Sequence, residues 1–140
     1  MLAQGLRHHL PLALLMLDLD HFKRINDSHG HEGGDAALRL FGATLLQTRR
    51  LSDVVARIGG EEFAVLLPHA DRAAACVFDQ RLRASLAEQA QPALGFGLDF
   101  SSGLALLTEL QGETLAQWMT RADSALYQAK SQGRGRLMSD

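Results

Sequence analysis

Lysine is almost missing from this chain. Of its 14 basic residues, two are lysine (Lys23 and Lys130) and the other twelve are arginine. Cysteine occurs once, at Cys76, so no internal disulfide can form, and its Ala and Val neighbours suit a small core residue. No apolar run is long enough to cross a bilayer: Leu10 to Leu19 is too short, and Pro11 interrupts its start. No signal peptide with a cleavage site is present. Nor is there a large positive charge. The formal net charge is −2, which argues against nucleic-acid binding by broad electrostatics but not against a small anion held by a few placed cations. Repeats and low-complexity segments are absent. The chain as given reads as cytoplasmic, with no membrane partner in this stretch, although a longer protein could still be membrane-tethered.

What is present suits one folded domain. The chain has 140 residues and is 46% hydrophobic, enough for a real core. Leu12 to Leu17 is a continuous apolar run ending at Asp18 and predicts a buried central strand. Asp20 is placed to cap a helix from His21 onward, and Ser28 to Gly34 reads as loop. Asp35 to about Arg49 predicts a helix through Leu38, Phe41, Leu45 and Leu46. Val54 to Ile58 and Phe63 to Leu67 flank Gly59-Gly60 as a β-hairpin. A helix over Ala70 to Gln89 has Val77, Phe78, Leu82 and Leu86 on one face and is broken by Pro92 and Gly95. A strand over Leu98 to Leu107, a helix over Glu113 to Lys130 (Leu115, Met119, Ala122 and Leu126 inward) and a short strand at Arg136-Leu137 complete a mixed α/β order.

The acids carry the chemistry. Asp18-Leu19-Asp20 ends the apolar strand, and Arg57-Ile58-Gly59-Gly60-Glu61-Glu62-Phe63 puts two adjacent carboxylates on a glycine turn. Oxygen ligands converging from separate loops suit Mg²⁺ bound with a substrate triphosphate, and a neighbouring carboxylate can act as a general base. On a regular strand Glu61 and Glu62 would face opposite ways, but a glycine turn relaxes this. The plainer alternative is a pair of solvated acids at a hairpin tip. Phe22-Lys23 opens a helix, whose first-turn amides and dipole favour an anion. Lys130 and Arg134 fall one helical turn apart and would reach the same phosphates if the helix continues; otherwise they are cations near a helix C-terminus. The six histidines make no convincing zinc set.

Five motifs in order resemble the GGDEF family of diguanylate cyclases. They are Asp18-Leu19-Asp20-His21-Phe22-Lys23-Arg24-Ile25-Asn26-Asp27, Gly30-His31-Glu32-Gly33-Gly34-Asp35, the Gly59-Gly60-Glu61-Glu62-Phe63 turn, Ala122-Asp123 to Ala129-Lys130, and Gly133-Arg134. The resemblance runs from about Leu12 to Leu137. It implies one domain over 12–137, with 1–11 a partial helix or remnant, because the Asp-x-Leu-Thr-Gly-Leu-x-Asn-Arg segment usual upstream is not seen. Gly135 also stands where members often carry Asn.

The implied fold is an adenylyl-cyclase-like palm, a mixed central sheet flanked by helices with the Gly-Gly-Glu-Glu-Phe turn on a hairpin. The implied activity is condensation of two GTP into cyclic di-GMP, by a homodimer with one GTP per subunit. By resemblance, Asp18, the Leu19 carbonyl and Glu62 hold Mg²⁺ (or Mn²⁺), and Glu61 helps deprotonate the attacking 3′-hydroxyl. Phe22, Lys23, Lys130 and Arg134 grip phosphates, and Asn26 and Asp35 read guanine. Arg50 and Asp53 form an inhibitory site for the product, or else a surface ion pair of little worth. Asp27 and Asp123 read as structural. The rival class is a non-catalytic module that binds GTP or cyclic di-GMP and regulates a partner.

Overall fold

The computed structural model describes residues 11–107 and 113–140. The elements are β1 (Leu12–Leu19), α1 (Phe22–Thr48), β2 (Val54–Arg57), β3 (Glu62–Pro68), α2 (Arg72–Leu94), β4 (Phe100–Leu107), α3 (Leu115–Ser131) and β5 (Leu137–Ser139). The strands form one sheet in the order β2-β3-β1-β4-β5. β1 is antiparallel to β3 and β4, and only the β4–β5 pairing is parallel. The result is a mixed α+β domain, as expected.

β1 is apolar except for Asp18 because both of its faces are covered. Side chains alternate across a strand. Leu15, Leu17 and Leu19 therefore join one core, with Phe41 and Leu45 of α1 and Leu82 and Leu86 of α2. Leu12, Leu14 and Met16 face the other way, against Trp118, Ala122 and Leu126 of α3. Gly103 lets α3 settle directly onto β4: an added Cβ there would overlap the carbonyl oxygen of Ala122 and the backbone of Leu126. Trp118 donates from Nε1 to the Ala105 carbonyl (3.0 Å) and fixes the helix at its other end. A capping box between Thr114 and Gln117 starts α3.

Several local expectations are corrected. Ser28 to Gly34 is helical on both sides of Gly30, where α1 breaks into two arms (φ 72°, ψ 176°) that fold toward each other, and Asp35 lies inside the second arm. Asp20 does not cap α1. His21 occupies that position in the left-handed region (φ 57°), and no side chain caps the helix. α2 continues past Pro92, which has no N–H to offer the Glu88 carbonyl, and stops only at Gly95 (φ 81°), the left-handed residue that caps it. α3 ends at Ser131, before Arg134. Leu46, Val77 and Leu115 are exposed rather than inward, and Cys76 is half-buried. No helix among the described residues is long and apolar enough to cross a membrane.

Candidate active site

The period of β1 decides where its terminal acid goes. Leu12, Leu14 and Met16 point toward α3, so Asp18 does too. Glu62 is the cross-strand partner of Asp18 in the β1–β3 register. Its own period mates, Ala64 and Leu66, pack against the same α3-side core. The first strand and the hairpin thus present Asp18 and Glu62 side by side on one face, under the C-terminal end of α3. Lys130 reaches down from that helix and pairs its ammonium with Oδ2 of Asp18. The other oxygen of Asp18, Oδ1, is buried without a hydrogen-bond partner.

Glu62 is half-buried, and its carboxyl is held above its ordinary value of 4.5. Burial is the main cause, followed by the charges of Asp123, Asp18 and Glu61, with Lys130 opposing. An orphaned acceptor on Asp18 and this excess of negative charge both call for a cation. Among the described residues no three His, Cys, Asp or Glu side chains group to hold a metal. A divalent ion would therefore rest on two carboxylates, with the Leu19 carbonyl and ligand oxygens completing its shell, an oxygen set that fits Mg²⁺.

A cavity of about 480 Å³ opens beside these acids. Asp18, Leu19, Phe22, Lys23, Glu61, Lys130 and Arg134 all line it, as do His21, Arg24 and Asp27. The uncapped start of α1 means that no side chain takes the first-turn amides of Phe22 and Lys23, which leaves the helix N-terminus available to an anion. The turn that carries Glu61 is pinned on both sides. Arg57 donates to the carbonyls of Gly59 (3.2 Å) and Gly60 (2.6 Å), and the Leu19 amide donates to the Glu61 carbonyl (3.2 Å). Neither glycine of the turn has positive φ, and a Cβ on either would meet open space. Nothing within the chain itself requires glycine there.

Asn26 and Asp35 lie apart from that cavity, and the break in α1 at Gly30 folds their two helical arms toward each other. Gly34 abuts Asn26, since an added Cβ would overlap Oδ1 of Asn26. Asp35 is exposed and lines a separate cavity of about 320 Å³ with Arg57 and Phe63. Arg50 and Asp53 are more than a surface pair. Asp53 is buried and accepts from the Arg50 backbone amide (2.8 Å) and from its guanidinium (3.0 Å). Arg50 also donates to the Pro68 carbonyl (2.9 Å), stays half exposed, and shares a cavity of about 250 Å³ with Arg81, Val77 and Phe78.

Arg24, Arg81 and Asp123 were not among the sequence candidates. Asp123 precedes Lys130 by seven residues, two helical turns, and that spacing is the signal that places it on the site's side of α3. The signal for Arg24 is its adjacency to Lys23; no sequence signal links Arg81 to Arg50.

A mostly antiparallel sheet with acids at the tip of its central strand and on the adjoining hairpin, beside a cation-lined cavity, is the palm arrangement. The sequence matches the family described as diguanylate cyclase, GGDEF domain, over residues 1–136. It is 42% identical over 127 residues to diguanylate cyclase DgcP of Pseudomonas aeruginosa, covering 90% of this chain and 19% of that protein. The fold is similar to the GGDEF domain of DgcB from Caulobacter crescentus, solved with c-di-GMP (TM-score 0.87, 29% identity, 99% of this chain and 82% of that one). It is also similar to the active GGEEF domain of a diguanylate cyclase from Vibrio cholerae (TM-score 0.86, 29% identity, 99% and 88%). The chain belongs to the GGDEF diguanylate cyclase family. It spans between 11% and 38% of the length of the first five curated relatives it matches.

Proposed function

We propose that this domain is a diguanylate cyclase that condenses two GTP into cyclic di-GMP and releases two pyrophosphates. One observation carries the reading: Asp18 and Glu62 share one face of the sheet, beside Lys130 and a cavity lined by cations. A triphosphate suits that cavity. Lys23, Lys130 and Arg134 supply charge, and the free amides of Phe22 and Lys23 supply directed donors. Asp18, Glu62 and the Leu19 carbonyl would hold Mg²⁺, or Mn²⁺ in its place. The ion would stabilise charge on the phosphoryl oxygens and lower the pKa of a bound hydroxyl.

Glu61, which lines that cavity, would accept the 3′-hydroxyl proton as that oxygen attacks the α-phosphorus of a second GTP and pyrophosphate leaves. Asn26 and Asp35 select guanine. A carboxylate accepts from guanine N1–H and its exocyclic amine, whereas adenine offers neither donor and would leave it unpaired. Forming two phosphodiester bonds between two nucleotides requires two copies face to face, so a homodimer is the working unit, in the cytoplasm where GTP is found. Arg50, with Asp53 and Arg81 beside it, offers a place for the product to bind and arrest turnover; one similar GGDEF domain was solved with c-di-GMP.

The test is product analysis from GTP and Mg²⁺ at high protein concentration, with Glu61→Ala as control. Cyclic di-GMP formed by the wild type and lost in the variant supports the proposal. GTP binding without turnover would instead make this a regulatory module. Loss of preference for GTP over ATP in Asp35→Ala checks the guanine assignment.

A further inference from the structure

We propose that Asp20 is a positioning residue for the phosphate grip: its buried carboxylate clamps the 133–136 loop so that Arg134 faces the cavity. The proposal rests on the cyclase reading for what Arg134 does there. It rests on the hydrogen bonds of Asp20 for how Arg134 is held.

Arg134 is not placed by helix geometry, because α3 ends at Ser131. It lies in a run of three left-handed residues, Gly133 (φ 113°), Arg134 (φ 64°) and Gly135 (φ 59°). Glycine adopts that region freely; arginine does not, and it stays there only when its surroundings impose it. Two hydrogen bonds do so. The Arg134 amide donates to the Ala129 carbonyl (2.9 Å), and the Gly135 amide donates to Oδ2 of Asp20 (2.9 Å). The loop then delivers the Arg136 carbonyl to the Ser102 amide (2.9 Å) and enters β5. Gly135 lies tight against the start of β4: a Cβ there would stand 2.7 Å from Oδ2 of Asp99.

Asp20 is built for this task. It is 7% exposed, and both of its oxygens are engaged, Oδ1 by the hydroxyl of Ser101 (2.6 Å) and Oδ2 by the loop. Its own amide donates to the Asp99 carbonyl (3.0 Å). One side chain thus joins the end of β1, the start of β4 and the loop that follows α3. Asp20 lines the neighbouring cavity of about 490 Å³, with Arg83 and Asp99, and is not among the residues lining the phosphate cavity. It acts through Arg134.

The experiment measures GTP affinity by calorimetry with Mg²⁺ present, for wild type, Asp20→Ala, Asp20→Asn, Arg134→Ala and the Asp20→Ala/Arg134→Ala double variant. Asp20→Ala strands two donors and should weaken binding about tenfold. Asp20→Asn keeps an oxygen for the Gly135 amide, and the Ser101 hydroxyl can turn to accept from its amide nitrogen, so affinity should stay near wild type. In the Arg134→Ala background, Asp20→Ala should add little, because its effect travels through the arginine. Full additivity would overturn the proposal, as would a wild-type affinity in Asp20→Ala.

Amide exchange at Gly135 reads the clamp without nucleotide. It should be slow in wild type and Asp20→Asn and fast in Asp20→Ala. Asp20→Ser keeps a partner for Ser101 but cannot span to Gly135, and it stands in if the alanine variant does not fold. Fast exchange at Gly135 in the wild type would sink the clamp. A wild type that binds no GTP would sink the cyclase reading instead, whatever Gly135 does.

Discussion

Lys130 and Asp18, 112 residues apart in sequence, form an ion pair that joins the end of α3 to the end of β1. The ammonium takes Oδ2 and leaves Oδ1 without a partner, so a divalent ion bound at Oδ1 would share the carboxylate with Lys130. Lys130→Met should lower the stability of the metal-free domain by about 1–3 kcal/mol, since it strands a buried charge. Added Mg²⁺ should restore part of that loss, which urea titrations with and without Mg²⁺ would detect.

Glu62 gives a second prediction, with a definite sign. Its folded pKa is raised above 4.5 by burial first and by neighbouring acids next. The stability linked to this group is full below the unfolded pKa and is lost as pH climbs through the raised value. At neutral pH the ionised form opposes folding. Glu62→Gln should therefore raise the melting temperature of the metal-free protein near pH 7, with the advantage over wild type shrinking toward pH 4. The same variant should lose its stabilisation by Mg²⁺.

The glycines of the turn separate folding from binding. A Cβ at Gly60 meets open space, and its φ is not left-handed. Gly60→Ala should leave stability unchanged or raise it by about 0.4–1 kcal/mol through the unfolded chain. If a ligand approaches the turn closely, GTP affinity should nevertheless fall. Thermal melts and calorimetry on one sample would show the two effects moving apart.

At Gly103 the opposite holds. Gly103→Ala pushes α3 off the sheet and should cost about 1–3 kcal/mol by overpacking. Because α3 carries Lys130, GTP binding should weaken as well. Denaturant midpoints and GTP affinity should fall together.

Much of this site could be read from the sequence because strand periodicity is simple. Asp18 continues the apolar series Leu12, Leu14, Met16, and the Gly59-Gly60 hairpin returns Glu62 to its side. The less legible parts are those that depend on distant neighbours. Glycines at 30, 33 and 34 suggest a loop, yet only Gly30 leaves the helical region, and the chain is helical again by Gly33 and Gly34. Asp20 has the residue type and position of an N-cap, but Ser101 and Gly135, more than eighty residues further along, claim its oxygens. The spacing from Lys130 to Arg134 suggests one more helical turn, whereas a left-handed loop supplies the same proximity. Leu46, Val77 and Leu115 fit an apolar stripe by type, but they lie on the exposed sides of their helices.

β1 is hydrogen-bonded on both edges and covered on both faces, and Asp18 stands at its tip. Interior strands of this kind are among the last segments to open in a folded domain. The carboxylate that would meet the ion is therefore mounted on an anvil that local fluctuation barely moves. On the proposed two-subunit reading, on–off control has little to gain by distorting this strand, and much more by governing how often two rigid half-sites would find each other.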